Sequence, residues 1–361
     1  MTAIQADERW MTRALFHAAR GAGRTSPNPL VGAVVVSPDG VLLGQGYHER
    51  AGEPHAEINA LSAAGDRARG ATLYCTLEPC AHQGRTGPCA ARIVEAGITR
   101  VVASVQDPNP LVRGRGFAYL RAHGLAVDVG IGAAESSALN QAFFTLMNEE
   151  RPFVILKAAT SADGFIAESS ARPTPLTSAT ANRHAHRLRA TVDAIAVGVG
   201  TVIADDPELT ARGTFRERPI VRVVLDRTLR TPASSRLLST RGAGPVIIVT
   251  SERGAGNRHR ADLEARGAEI IVSDGSIRHA LALLGERQIA SLLLEGGAAV
   301  HAAAWDEDVV DFVRLYVTPH LLRAGVPFLG ERDFASTSLV DRRVMVLGPD
   351  VLIEGYVHGP R

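Results

Sequence analysis

Short apolar runs alternate along this chain with longer stretches in which apolar residues recur every third or fourth position. The first long stretch, MTAIQADERWMTRALFHAARG, has the period of an amphipathic helix and stops at Gly21. PNPLVGAVVV and VLLGQGY flank the turn SPDG, which predicts two strands paired as a hairpin. In HAEINALSAAG, apolar or small residues at Ala56, Ile58, Ala60, Leu61 and Ala64 predict a helix that begins near His55 and ends at Gly65. ATLYCTL then reads as a short strand, AARIVEAG as a helix stopped by Gly97, and TRVVASV as another strand.

Beyond residue 148 the alternation starts afresh. The charged stretch NEER followed by Pro152 marks a boundary, which gives domains of residues 1–148 and 149–361. FVILKAA is expected to open a new sheet, and ATANRHAHRLRATV to form a helix. DAIAVGVG, PIVRVVLD, PVIIVT, AEIIVS, ASLLLEGG and FVRLYVTP supply further strands, with helical patterns near residues 258–267, 277–286 and 298–305 between several of them. RRVMVLG and VLIEGYV, either side of Pro349 and Asp350, predict a terminal antiparallel hairpin. Both halves therefore read as α/β.

The 361 residues, 45% of them hydrophobic, suffice for two cores. Lys plus Arg number 39 against 38 Asp plus Glu, so no broad basic field exists to hold nucleic acid, and the expected partner is a small molecule. Three cysteines are too few for a disulfide framework, which predicts reduced thiols and a cytoplasmic protein. The opening helix lacks the apolar core and cleavage site of a signal peptide, and no apolar run reaches membrane-spanning length.

Candidate chemistry begins with His55 and Glu57 in PHAEINAL and Cys80 and Cys89 in TLEPCAHQGRTGPC. Imidazole nitrogen and thiolate sulfur are zinc ligands, and three of them leave a fourth position for a water that the metal acidifies. His55, Cys80 and Cys89 are thus expected to hold one Zn2+ per chain, with Glu57 as a proton carrier that does not touch the metal. Residues two apart share no helix face, so His55 and Glu57 can serve one pocket only at a helix start, where the pattern puts them. Pro88 places Cys89 at the start of the next helix, where free N–H groups favour a thiolate. The intervening AHQGRTGP is expected to form a flap facing the substrate. A structural zinc would need a fourth protein ligand; Cys75 is available, but it alternates within TLYCTL as a core residue does. His17, with no partner pattern, reads as an ordinary helix histidine.

HAE followed by two PC strings resembles the cytidine-deaminase-like zinc hydrolases, whose signature has two residues between the cysteines where this chain has eight. With that spacing, TSPNPLVGAVVV, GYHERAGEPHAE, TLEPCAHQGRTGPC and QDPNP in order resemble the pyrimidine deaminase half of the bifunctional riboflavin-biosynthesis deaminase/reductases. The resemblance implies a cytidine-deaminase-like α/β/α domain that hydrolyses an amino group from a diaminopyrimidinone ribosylamino phosphate, with Glu57 shuttling the proton. It also assigns substrate contacts to Asn28, His48, His82, Arg85, Asp107 and Asn109. Amides and carboxylates suit ring edges, and the cation of Arg85 suits a phosphate. DPNP is equally a turn sequence, which gives Asp107 and Asn109 a structural reading as well.

Two strings in the second half bear on chemistry. LLLEGGAAVHAAA puts two glycines between a strand and a helix, where backbone N–H groups can approach a cofactor phosphate or ribose. A glycine pair is also a common tight turn, and the string is not GxGxxG. VGVGTVIADDPELTAR reads as a polar loop with Thr201, Asp205, Asp206 and Arg212. With LKAATSADGFIA and LTSATANRHAHRLR, these strings resemble in order the reductase half of the same family, so the resemblance spans nearly the whole chain. It implies a dihydrofolate-reductase-like α/β domain that uses NADPH and reduces the ribosyl side chain to ribityl. Ala159, Thr201, Asp205, Gly296 and Gly297 would contact the cofactor; Ser178, Arg189, Leu209, Arg212 and Glu295 would hold the substrate.

Hydride transfer depends on holding two reactants face to face, so no catalytic base is expected there. Arg189 and Arg212 suit a phosphate, although Arg189 lies in an Arg-rich helix whose solvated face is the plainer reading. Lys157 is either a substrate or cofactor contact or a core-edge lysine. SSARPTPLTS, stiffened by Pro173 and Pro175, replaces the Gly-, Ser- and aromatic-containing stretch often found in the family. A homo-oligomer is expected. The alternative class, a nucleic-acid-editing zinc deaminase with an accessory domain, would want an aromatic-studded basic groove that this sequence lacks.

Overall fold

The computed structural model describes residues 3–81, 87–169 and 174–359. The chain folds as two units, Met1–Glu149 and Glu150–Pro360.

The first unit runs α1 (Ala3–Ala19), β1 (Gly32–Val36), β2 (Leu42–Tyr47), α2 (Ala56–Ala64), β3 (Thr72–Cys75), α3 (Cys89–Glu95), β4 (Arg100–Ala103), α4 (Arg115–Ala122), β5 (Ala126–Val129), α5 (Ala133–Leu139) and α6 (Gln141–Glu149). Its sheet has the order β2-β1-β3-β4-β5, antiparallel across β2-β1-β3 and parallel across β3-β4-β5. β1 is buried on both faces: Ala33 and Val35 join Ala60, Ile93 and Leu120 on one side, while Val34 and Val36 join Trp10, Met11 and Ala14 on the other. Helices therefore cover both faces of the sheet, and each fully buried Val, Leu or Ile contributes about 1.5–3 kcal/mol.

The glycines of LLGQGY decide where α2 lies. A Cβ at Gly44 would stand 2.3 Å from the Ala60 carbonyl oxygen, and one at Gly46 2.5 Å from Asn59 Cβ. Their absence lets α2 lie flush on β2, which fixes the start of that helix and with it His55. Three helices and a strand between Arg115 and Glu149 were not among the elements predicted from the sequence. β5 is exposed at most positions and so shows no apolar alternation to betray it.

The second unit opens with β6 (Phe153–Thr160), β7 (Phe165–Ala167), α7 (Ala179–Thr191), β8 (Ala194–Gly198), α8 (Val199–Asp205), β9 (Val221–Leu225), α9 (Arg236–Ser239) and β10 (Val246–Ser251). It continues with α10 (Glu252–Ala255), α11 (Arg260–Ala265), β11 (Ala268–Ser273), α12 (Ile277–Glu286), β12 (Ser291–Leu294), α13 (Ala298–Asp306), β13 (Phe312–Val317), β14 (Val326–Pro327), β15 (Val340–Leu347) and β16 (Asp350–Tyr356). Nine strands form one sheet in the order β11-β10-β9-β8-β12-β6-β13-β16-β15, parallel as far as β13. The expected terminal hairpin, β15 with β16, adds antiparallel to β13. β7 and β14 pair separately.

One expectation needs correction. Thr201 and Asp205 do not lie in a loop: residues 199–205 form α8, anchored by buried Val199 and Val202 three positions apart. No helix among the described residues is long and apolar enough to cross a membrane.

Candidate active sites

At the first site, His55 is the N-cap of α2, Cys89 is the first residue of α3 behind its N-cap Pro88, and Cys80 lies in the loop after β3. The His55 Nδ1 atom is 3.6 Å from Cys80 Sγ and 3.3 Å from Cys89 Sγ. A tetrahedral zinc bonded at about 2.3 Å to sulfur and about 2.0 Å to nitrogen separates such atoms by roughly 3.5 Å, so the triad fits that ion. All three ligand atoms lie within 4.8 Å of one another. Hydrogen bonding to Cys89 and to His55 draws the Cys80 thiol down to about 4, whereas Cys89 is pushed up by its bond to Cys80 and by burial. The pair thus keeps one thiol readily ionised, as a metal ligand must be.

Glu57, in the first turn of α2, is buried, and its side chain reaches that of Cys89. Burial pushes its carboxyl above the ordinary range. Cys75 points into the core with Leu73, Ala90 and Ile93, away from any ligand role.

Around the triad, His48 donates from Nδ1 to the Pro54 carbonyl at 3.2 Å, which leaves its Nε2 to accept from Asn28 Nδ2 at 3.2 Å. Its ring meets that of His55 edge to face, with centroids 5.4 Å apart. Asp107 is buried and pushed up to about 7, mainly by burial. Its Oδ1 accepts from the Asn109 N–H at 2.8 Å, and Asn109 Oδ1 in turn accepts from the Leu111 N–H at 3.0 Å. These bonds give DPNP its structural reading as a turn. His82 and Arg85, most of the expected flap, and Pro173 lie outside the described residues.

Glu78 was missed from the sequence. Its buried carboxylate accepts from the N–H groups of Asp107 (3.2 Å), Gly114 (2.9 Å), Gly116 (2.9 Å) and Phe117 (3.3 Å). Its partners are backbone amides 29 or more residues away, which no local pattern announces.

In the second unit a cavity of about 510 Å³ is lined by Ala159, Thr201, Asp205, Gly296 and Gly297, together with Glu295 and Lys157. Gly296 has φ +135°, and a Cβ there would meet nothing closer than 3.9 Å, so the missing side chains leave the cavity open above the first turn of α13. Unpaired N–H groups at that turn suit the anionic parts of a dinucleotide, and the residues present fit NADPH.

The expected substrate residues divide. Only Glu295 lines the cavity. Arg189 is not on a solvated face: it grips Glu295 with Nε at 2.6 Å and Nη2 at 2.5 Å, and donates from Nη1 to the Thr210 carbonyl at 2.9 Å. Burial pushes Glu295 up, but the Arg189 and Lys157 charges more than offset this and hold the carboxyl below its ordinary value. Burial pulls the half-buried Lys157 down. Ser178 is the N-cap of α7, accepting from the Ala181 N–H. Leu209 is buried at φ +53°, and Arg212 is exposed.

A hydrolytic centre and a reductive one on a single chain define the class: a bifunctional zinc deaminase and NADPH-dependent reductase. Residues 4–105 match the family model of the cytidine and deoxycytidylate deaminase zinc-binding region, and residues 152–353 that of the RibD C-terminal domain. The riboflavin biosynthesis protein RibD of Aquifex aeolicus is 40% identical over 96% of this chain and 97% of its own length. Two solved structures agree across the full length. Acinetobacter baumannii RibD has a TM-score of 0.86 at 35% identity, with 97% of this chain and 98% of that one covered. The Thermotoga maritima diaminohydroxyphosphoribosylaminopyrimidine deaminase/5-amino-6-(5-phosphoribosylamino)uracil reductase gives 0.84 at 34%, covering 98% and 99%. The chain belongs to the RibD family of riboflavin biosynthesis enzymes. The nucleic-acid-editing alternative is not favoured.

Proposed function

We propose that the first unit removes an amino group hydrolytically from 2,5-diamino-6-ribosylamino-pyrimidinone 5'-phosphate, and that the second then reduces the ribosyl side chain to give 5-amino-6-ribitylamino-uracil 5'-phosphate. The observation that carries this reading is the His55, Cys80 and Cys89 triad at zinc-ligand separations with Glu57 at its edge.

Zinc, when bound, lowers the pKa of water toward neutrality and so supplies a nucleophile at ordinary pH. Glu57 would take up a proton from the attacking water and hand it to the leaving amino group, and its burial keeps bulk water from competing for it. Asn28, His48, Asp107 and Asn109 read the pyrimidine, and His82 and Arg85 complete its binding, Arg85 at the phosphate. Linked as they are, Asn28 and His48 act as one donor and acceptor unit.

In the second unit NADPH supplies the hydride when bound. Ala159, Thr201, Asp205, Gly296 and Gly297 hold it, and Ser178, Arg189, Leu209, Arg212 and Glu295 hold the substrate. Arg189 serves chiefly to keep Glu295 ionised and aimed, which leaves exposed Arg212 as the phosphate partner. Lys157, lining the same cavity, contacts substrate or cofactor. A homo-oligomer is supported by the outer strand β15, whose Val344, Met345 and Val346 are exposed. With Cys80 and Cys89 taken up as metal ligands, buried Cys75 is the thiol left over, which suits the reducing cytoplasm.

The test is one preparation of zinc-loaded protein given the diaminopyrimidinone phosphate with and without NADPH. Ammonia should appear in both, and cofactor oxidation only after ammonia release. Cofactor oxidation without prior ammonia, or no ammonia at all, overturns the reading.

A further inference from the structure

Glu78 ties together two arms of the first site that are distant in sequence. Glu78 stands two residues before Cys80 and so belongs to the metal-ligand loop, while its own N–H donates across to the Val105 carbonyl at 3.0 Å, two residues before Asp107. On the other side, Oε1 accepts from Gly116 and Phe117, the second and third residues of α4. The N-cap of α4 is Gly114, which has no side chain to cap with, so Glu78 performs that task from a remote loop. Oε2 accepts from Gly114 and from Asp107, the residue whose carboxylate holds Asn109.

The fit is close. A Cβ at Gly116 would stand 1.9 Å from the Pro79 carbonyl oxygen, so only glycine lets the α4 start rest on the Glu78 and Pro79 backbone. Neither arm can move without breaking bonds to the one carboxylate.

We infer that Glu78 is a positioning residue for deamination, setting Asp107 and Asn109 relative to the Cys80 loop without touching substrate. The inference rests on the proposed roles of Asp107 and Asn109 in reading the pyrimidine. A glutamine there replaces one oxygen by an NH2 group, and in either rotamer two amide donors then face a donor instead of an acceptor.

The experiment compares full-length, zinc-loaded E78Q and E78D with the parent. It reads zinc per chain, kcat and KM for ammonia release from the diaminopyrimidinone phosphate, and reduction of the preformed deaminated substrate as an internal control. E78Q should keep its zinc and its reductase rate while the deaminase KM rises about tenfold or more, with kcat changed far less. E78D keeps both oxygens but withdraws them by one methylene, and should show the same KM-selective defect in smaller measure. If E78Q loses zinc, E78D decides. A parental KM in a zinc-replete variant, a loss confined to kcat, or zinc loss in both variants with reduction intact overturns the inference. Absence of ammonia release by the parent would overturn the proposed reaction instead.

Discussion

In the first unit four reactive side chains meet where two helix starts and a loop converge, and the metal triad and Glu57 occupy positions that few other residue types could fill. In the second, the cavity is bounded by Ala159, two glycines and the open turn of α13, and the charged pair Arg189 and Glu295 spends its donors and acceptors largely on itself. Hydrolysis at neutral pH needs a metal and a proton carrier; hydride transfer from a bound dinucleotide needs a shaped space. Substitution of a reactive atom should therefore ruin the first site, whereas the second should respond to changes of shape and charge environment.

The largest effect expected is that of Glu57→Gln. Loss of a general acid/base costs about 10²–10⁴-fold, so ammonia release should fall by that factor. Reduction of the preformed deaminated substrate should proceed at the parental rate. Ammonia release at the parental rate would remove Glu57 from the mechanism.

Next comes a pH effect confined to the second unit. His301 on α13 is buried beside the cavity, and burial holds its pKa down to about 4. As pH falls below about 6.5, the unfolded chain takes up a proton that the folded one refuses, so stability present at pH 7 is lost progressively down to about 4. At 1.36 kcal/mol per pKa unit the loss is about 3 kcal/mol. Trp305, four residues further along α13, reports the unfolding once Trp10 is replaced by Phe. H301L should remove this part of the pH dependence; parallel stability curves for parent and variant from pH 7 to 4 would show that His301 does not cause it.

The contrast between the sites also explains what the sequence discloses. The triad and Glu57 were legible because metal chemistry restricts residue type and spacing, and central strands such as β1 and β8 because they are buried and apolar, whereas exposed β5 was not. Glu78 was not, since its four partners are backbone N–H groups of a loop and helix that become neighbours only on folding. Nor was the grip of Arg189 on Glu295, 106 residues apart, which makes an apparently solvated arginine the partner of a cavity-lining carboxylate. α8 resembled a loop because about two turns with two buried valines are too short for a helical period to stand out from its glycines and acids.

A smaller effect is expected from Gly296→Ala. At φ +135° any side chain is strained, and this one would project over the cavity wall. The KM for NADPH should rise about tenfold, a cost of about 1.4 kcal/mol in binding, while deamination stays unchanged. Steady-state cofactor oxidation measures this, and an unaltered KM would mean that the glycine turn does not carry the cofactor.

The smallest effect sharpens the first site by its absence. Cys75 lies on β3 within reach of the same core as the ligand-bearing helices, and in composition it is a third thiol near a zinc triad. Burial pushes its pKa up, so it remains a neutral apolar group rather than a thiolate. Cys75→Ala should therefore keep one zinc per chain and parental kcat, at a cost of about 1–2 kcal/mol for the lost packing. Cys80→Ala and Cys89→Ala, of the same chemical size, should each abolish stoichiometric zinc binding, because two remaining ligands cannot hold the ion at the site. Metal content after exhaustive dialysis separates the three variants. If Cys75→Ala also loses its zinc, the fourth coordination position belongs to the protein rather than to water, and the site is structural.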